Sequence, residues 1–312
     1  MKTAFLFPGQ GSQKVGMVQD LYEKYDSVKK LIHEADDTLG FSISQMMFEG
    51  PDTELMKTEF TQPAILTASV CVWQVLKEHG LTPDIAAGHS LGEYSALVAA
   101  GAISFADAVN TVHLRGKFMQ EAVPLGEGGM AAVIGLAPEK IVEVCASVST
   151  DTLPVQAVNF NCPGQVVIAG ATAAVEKACV GMKEAGARRA IMLKVSAPFH
   201  STLMEPAAAR LKEVLDKIDI HDTTIPVVAN VNAKEETKAD EIRKNLVEQA
   251  AHAVHWDDSI RNMIAGGMDC AVEAGPGTVL SGFMRKIDRS IPTHHAEDVA
   301  TIDEVIQALK GE

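Results

Sequence analysis

Short apolar runs of strand type alternate with amphipathic helical segments along this chain, and the order of that alternation changes once, in the middle. Thr3–Phe7 and Ile85–Ala87 read as buried strands, and helical segments follow at 61–79 and Leu91–Ala100. Ile65, Val70, Trp73 and Leu76 carry the apolar face of the first of these, with Gly80 as its C-cap. That alternation predicts an α/β architecture. From Met130 the order becomes strand (Met130–Ile134), helix (Pro138–Ser147), strands Val155–Phe160 and Gln165–Ala169, helix Ala173–Ala185, strand Arg189–Val195. β-α-β-β-α-β is the ferredoxin-like arrangement. Gly126, Gly128 and Gly129 just ahead of it read as a hinge. Residues 128–196 are therefore expected to form a small domain inserted into a larger α/β domain made of 1–127 and 197–312. Beyond the insertion come a helix at Leu203–Ile218, a strand at Pro226–Ala229 and helices over 240–252 and 256–265. A strand at Cys270–Glu273 then leads through a turn at Ala274–Gly277 into a helix from Thr278.

The length of 312 residues suits such a two-part chain. A net charge of −14 argues against a diffuse footprint for nucleic acid. No apolar stretch is long enough to span a bilayer, and the run before Pro8 is too short for a signal peptide, so a soluble, cytoplasmic protein is expected. The five cysteines, Cys71, Cys145, Cys162, Cys179 and Cys270, are scattered and form no C-x-x-C pair. Neither a disulfide framework nor a metal site is expected from them.

Within 86-AAGHSLGEYSALVAAG-101, Ser90 sits in the pattern G-x-S-x-G. A chain of this length contains that pattern by chance about 10% of the time on average residue usage, so the context has to carry the argument. A short apolar strand precedes it and a helix follows, which is the setting of a nucleophile elbow. The alternative is a serine capping a helix. A serine hydroxyl needs a base to become nucleophilic. His89 is adjacent in sequence, yet neighbours at a sharp turn diverge, so His89 is expected to pack behind the elbow. His200, in the loop 195-VSAPFHSTLMEP-206, is the better-placed base, the alternatives being a helix cap or a core contact.

Several motifs together resemble one family. They are FPGQGSQ (7–13), GHSLGE (88–93), the arginine of HLRGKFMQ (113–120), NCPGQVVIAG (161–170), APFHS (197–201), Gln249 ahead of Trp256, and EAGPGTVL (273–280). In that order, and spread over nearly the whole chain, they are similar to the malonyl-CoA:acyl-carrier-protein transacylases of bacterial fatty-acid synthesis and to related acyltransferase domains of polyketide synthases. The resemblance implies a large hydrolase-like domain with a parallel-sheet core beside the ferredoxin-like insertion. It implies ping-pong transfer of malonyl from malonyl-CoA, through a malonyl-serine ester, to the phosphopantetheine thiol of acyl carrier protein. Ser90 would be the nucleophile and His200 the base, with the backbone N–H groups of Gln10 and Leu91 as oxyanion hole. A backbone carbonyl near Gln249 would orient His200. Arg115 would bind the substrate carboxylate, and Phe199 and Asn161 are implied substrate contacts. Leu91 and Phe199 go with malonyl rather than methylmalonyl. No cofactor or metal is implied, since malonyl-CoA is a substrate, and neither nucleic acid nor membrane is an expected partner.

One departure is His255, where the family often has arginine. An acidic carrier needs a local positive patch on an acidic enzyme, and two are visible: Lys183, Arg188, Arg189 and Lys194, and Arg285, Lys286 and Arg289. A serine hydrolase or thioesterase would share Ser90 and His200, and a non-catalytic carrier-binding module is a third reading. Arg115 and the FPGQGSQ loop favour transfer.

Overall fold

The computed structural model describes residues 2–195 and 197–311. The two ends of the chain and the expected domain boundary at Ser196 lie outside the described residues.

Ten strands form two sheets: β1 (Thr3–Phe7), β2 (Ile85–Gly88), β3 (Gly128–Ile134), β4 (Val155–Cys162), β5 (Gln165–Ala171), β6 (Arg189–Met192), β7 (Val227–Val228), β8 (Glu235–Glu236), β9 (Cys270–Ala274) and β10 (Thr293–Ala296). The larger sheet has the order β10-β9-β1-β2-β7-β8. Its first five members run parallel, and β8 pairs antiparallel to β7. β1 shows why its run is apolar at every position. Phe5 and Phe7 point into one core while Ala4 and Leu6 point into another on the opposite face. A parallel strand covered by helices on both sides has no solvent face to make polar.

The smaller sheet has the order β4-β5-β3-β6, all antiparallel. Counted within the segment, that is second, third, first, fourth, the ferredoxin-like order, and helices Pro138–Val148 and Thr172–Glu184 pack with it around a separate apolar core.

Some expectations shift. Gly128 and Gly129, read as part of a hinge, open β3 opposite Ala171 and Gly170, and of the three glycines only Gly126 has positive φ. β6 stops at Met192 rather than Val195. The segment expected to be helical from Leu203 begins as a 3-10 turn, Thr202–Met204, and continues as a helix over Glu205–Leu215. The strand β10, the helix Val299–Lys310 and the helices between Gln19 and Glu49 are further elements of the large part.

Two long helices, Thr58–Glu78 and Phe105–Glu121, form the wall behind the serine. Pro63 lies inside the first and cannot donate to the Glu59 carbonyl. His113 of the second helix donates to that carbonyl from Nδ1 at 2.9 Å, so the lost helix bond becomes an inter-helix bond. Gly116 lets the two helices close: a Cβ there would sit 2.6 Å from the Thr58 carbonyl oxygen. Arg115, its neighbour, is thereby brought to the rear of the cleft.

Candidate active site

The elbow is built by two glycines. β2 ends at Gly88 and the next helix starts at Gly92, leaving His89, Ser90 and Leu91 to reverse the chain. A Cβ on Gly88 would overlap the Gly92 carbonyl, and one on Gly92 would run into the Phe7 carbonyl of β1. The serine between them is held at φ 54°, in the left-handed region. Such a non-glycine residue costs about 1–3 kcal/mol and persists where its surroundings over-determine it. Here they do. The Ser90 N–H donates to Asn230 Oδ1 at 2.7 Å, the Ser90 carbonyl accepts from Gln249 Nε2 at 2.8 Å, and Asn230 Nδ2 donates to the Gly88 carbonyl at 2.7 Å.

The structure pairs Ser90 with His200, not with His89. Ser90 Oγ lies 2.8 Å from His200 Nε2, and His200 Nδ1 lies 2.8 Å from the backbone carbonyl of Gln249. A carbonyl only accepts, so Nδ1 carries the hydrogen and Nε2 presents its lone pair to the serine hydroxyl. His200 also sits at positive φ, 62°, in the turn that follows the small sheet. Burial, and then the nearby Arg115 charge, push its imidazole down to about 3, against the weaker upward pull of the Gln249 carbonyl. It is therefore neutral and able to accept a proton. His89 turns away: its Nε2 is 2.8 Å from Asn161 Oδ1 and its ring packs 5.4 Å from that of Trp256. Burial lowers its imidazole too, so it is also neutral, and although its ring packs on Trp256 the residue still lines the edge of the cleft, so it lies only partly behind the elbow.

Arg115 is buried, only 2% exposed, and joins the same cluster. Its Nη1 donates to Gln62 Oε1 at 2.8 Å, and its Nη2 donates to Gln249 Oε1 at 2.9 Å and to Ser90 Oγ at 3.2 Å. Its Nε–H, also buried, has no partner among the described residues. All three acceptors are neutral, so a guanidinium stands beside the serine oxygen with no carboxylate hydrogen-bonded to it.

The cleft in front of Ser90 has a volume of about 130 Å³ and is walled by Gln10, Gln62, His89, Leu91, Arg115, Phe199 and His200 on the side of the large sheet. Met130, Asn159, Leu193 and Val195 close it from the side of the small sheet. A water claims roughly 30 Å³ of liquid, so this is room for a short acyl group. Among the described residues, neither the Gln10 nor the Leu91 backbone N–H donates a hydrogen bond.

Of the two implied substrate contacts, Phe199 lines the cleft and Asn161 does not. β4 bulges between Ala157 and Asn159 and again between Phe160 and Cys162. Asn161 is turned to His89, and Asn159 takes the place on the cleft wall, its Oδ1 buried and without a partner among the described residues. His255 stacks flat on Phe160, ring centroids 5.4 Å apart, where β4 meets the chain at Val254.

Sequence reasoning passed over Gln62, Glu93, Asn159 and Asn230. Glu93 ends the GHSLGE motif, which was a signal; the others stand in no pattern that marks them. Glu93 is fully buried, and its Oε2 accepts the Asn230 N–H at 2.8 Å and Gln249 Nε2 at 3.2 Å. Among the described residues no cluster of histidine, cysteine and carboxylate could hold a metal ion.

Comparison with known proteins gives one consistent result. The family described as acyl transferase domain matches residues 4–306. The chain is 52% identical over 311 residues to the malonyl CoA-acyl carrier protein transacylase of Bacillus subtilis (strain 168), covering 100% of this chain and 98% of that one. The solved structure of an acyl carrier protein S-malonyltransferase from Vibrio cholerae superposes with a TM-score of 0.95 at 46% identity, covering 98% of this chain and 100% of that one. A malonyl-transacylase solved in complex with its type II PKS acyl-carrier protein matches with a TM-score of 0.95 at 45% identity, over 100% of both chains.

Proposed function

The chain belongs to the acyl transferase domain family, and from that premise we propose that it transfers malonyl from malonyl-CoA to the phosphopantetheine thiol of acyl carrier protein, supplying fatty-acid synthesis. One observation carries the reading. Ser90 Oγ is held at once by His200 Nε2, at 2.8 Å, and by the guanidinium of a buried Arg115, at 3.2 Å. A hydrolase needs the first contact; only an acyl group with its own anion needs the second.

Ser90 Oγ attacks the thioester carbonyl and its proton passes to His200 Nε2. The Gln249 carbonyl accepts from Nδ1 and steadies the imidazolium, less strongly than a carboxylate would. The tetrahedral oxyanion is placed against the free N–H groups of Gln10 and Leu91; losing one such donor typically costs ~10²–10³ in rate. Leu91 immediately precedes the helix Gly92–Ala99, whose dipole favours negative charge at that end. On collapse, the thiolate of CoA takes the proton from His200 and leaves, and malonyl remains on Ser90 as an ester. The carrier thiol then gives its proton to His200, attacks the ester, and Ser90 recovers its hydrogen.

Arg115 gives up Ser90 Oγ to take the malonyl carboxylate through two parallel hydrogen bonds. Phe199 on the cleft wall crowds an α-methyl group, worth about 1–3 kcal/mol against methylmalonyl. The carrier approaches over exposed cations, Lys183, Arg188, Arg189 and Lys194 on the small part and Arg285, Lys286 and Arg289 on the large one. We take residues 128–196 as an inserted domain that supplies one wall of the cleft. No helix among the described residues is long and apolar enough to cross a membrane. The five cysteines are free and buried, which suits a reducing, cytoplasmic setting.

The test is to mix the protein with malonyl-, methylmalonyl- and acetyl-CoA in turn and examine its peptides by mass spectrometry. Malonyl is expected on the peptide holding Ser90, and adding holo carrier protein should discharge it. No adduct at Ser90, or release of free malonate faster than transfer to the carrier, would overturn the reading in favour of a binding module or a hydrolase.

A further inference from the structure

Two buried carboxyl groups lie beneath the elbow and take no part in the steps above. Glu93, in the first turn of the helix after Ser90, is 0% exposed, and Glu236 of β8 is 1% exposed. Each uses one oxygen. Glu93 Oε2 accepts from the Asn230 N–H and from Gln249 Nε2, and Glu236 Oε2 accepts from Asn245 Nδ2 at 2.6 Å. In each, Oε1 is buried and has no partner among the described residues. The donors that hold them, Asn245 and Gln249, stand one turn apart on the helix Ala239–Gln249, so the two carboxyls share one dry site, where two carboxylates repel and the cheapest relief is one proton.

We propose that this proton resides on Glu236, and that Glu93 remains an anion whose single charge, set beneath Ser90, is the counter-ion of Arg115. The surroundings decide which group keeps the proton. Glu236 has one amide donor, and its charged neighbours are the carboxylates of Glu93 and of Glu241 on the adjacent helix. Glu93 has two N–H donors, the positive end of a helix, and the Arg115 guanidinium within electrostatic reach, with the un-ionised Tyr94 phenol beside it. Burial pushes Glu236 up to about 8 and Glu93 to about 7, the Asn230 and Gln249 donors and then the Arg115 charge keeping Glu93 the more acidic of the pair.

Glu93 acts through Gln249. The Gln249 amide gives its Nε2 hydrogens to Glu93 and to the Ser90 carbonyl, and offers Oε1 to Arg115. An anion below that amide fixes which way it faces; flipped, it would set an NH₂ group against the guanidinium. Glu93 is thus a positioning residue for Arg115 and for the serine backbone, and Glu236 stores the proton that makes this possible. The arriving malonyl carboxylate meets a cation that is already charged and aligned.

The experiment uses the full chain with Glu93→Gln and Glu236→Gln, read by infrared difference spectroscopy at neutral pH and by competition between malonyl-CoA and acetyl-CoA. The parent should show the C=O band of a buried carboxylic acid, and Glu236→Gln should lose it while changing malonyl selectivity by less than about threefold. Glu93→Gln should lower that selectivity about tenfold, the scale of one hydrogen bond to a charged group. A parent without the acid band, or equal selectivity losses in the two variants, would overturn the assignment. Should Glu93→Gln fail to fold, Glu236→Gln decides: loss of the band with selectivity kept supports it, and a retained band or lost selectivity overturns it. The selectivity measurement rests on the reading of Arg115 given above, and the infrared one does not. A failure to acylate Ser90 would therefore sink the transferase while leaving the proton assignment standing.

Discussion

Replacing Gln249 with alanine separates two roles that share one residue. Its backbone carbonyl holds His200, and any side chain at that position leaves the carbonyl in place. From the carbonyl alone, Gln249→Ala would keep much of the activity. The side chain changes that expectation. It is fully buried, and its amide accepts from Arg115 Nη2 at 2.9 Å and donates to the Ser90 carbonyl at 2.8 Å, with longer contacts to Glu93 at 3.2 Å and Asn230 at 3.4 Å. Alanine leaves at least two buried groups unpaired, one of them on a cation, at about 1–3 kcal/mol each. Against this, a buried glutamine gives up ~1.5–2 kcal/mol of rotamer entropy that alanine does not. The net loss is about 0–4.5 kcal/mol, centred near 2, and at that centre the Tm of a chain this long falls by roughly 3 °C. The elbow and the guanidinium also lose their common tie, and a displacement near 1 Å at reacting groups costs on the order of 10²-fold in rate. Thermal unfolding and steady-state malonyl transfer measure both effects. A variant melting within a degree of the parent with kcat/KM within threefold would refute the reasoning and leave the carbonyl as the sole contribution.

Two further outcomes follow from the same cluster. Arg115→Ala should cut malonyl transfer sharply, by 10²-fold or more if both hydrogen bonds of a ~3 kcal/mol charged pair are lost, and relax selectivity toward acetyl; unchanged selectivity in direct competition would refute the carboxylate role. His200 is held neutral by burial, so as pH falls from the ordinary histidine value of about 6.5 the unfolded chain takes up its proton first and the folded state loses stability down to about 3. Above 6.5 that contribution is fully present. In urea unfolding at stepped pH, His200→Gln should therefore show a shallower loss of stability on acidification than the parent; equal slopes would place the histidine's titration outside that window.

Local patterns in the chain reached a good part of this. Strand β1 is apolar at five successive positions because both its faces are covered, and that can be seen without a structure. So can the ferredoxin-like order, because each element carries its own period and the antiparallel strands sit next to their partners in sequence. Ser90 stands out because two glycines at fixed spacing are needed to turn the chain there, and the glycines are in the motif itself. That Gly128 and Gly129 stand in a strand was not legible, for the converse reason. Glycine also serves close strand pairing, and nothing local separates that use from a bend at Gly128 and Gly129.

What only tertiary structure decided is which distant groups meet. Ser90 and His200 are 110 residues apart in sequence and 2.8 Å apart in space. Asn230, in the turn after β7, and Glu93, in the helix after Ser90, brace the elbow from 137 residues apart, and no spacing rule connects them. Two bulges in β4 leave Asn159 on the cleft wall with Asn161 turned to His89, although both carry the same side chain. A sequence lists the donors and acceptors, but hydrogen bonds are satisfied in three dimensions, and burial sets which of them carry charge. The residue types of the site were therefore legible in advance, whereas the pairing, the tautomer of His200 and the isolation of Arg115 among neutral acceptors arise only when two sheets and two long helices close around them.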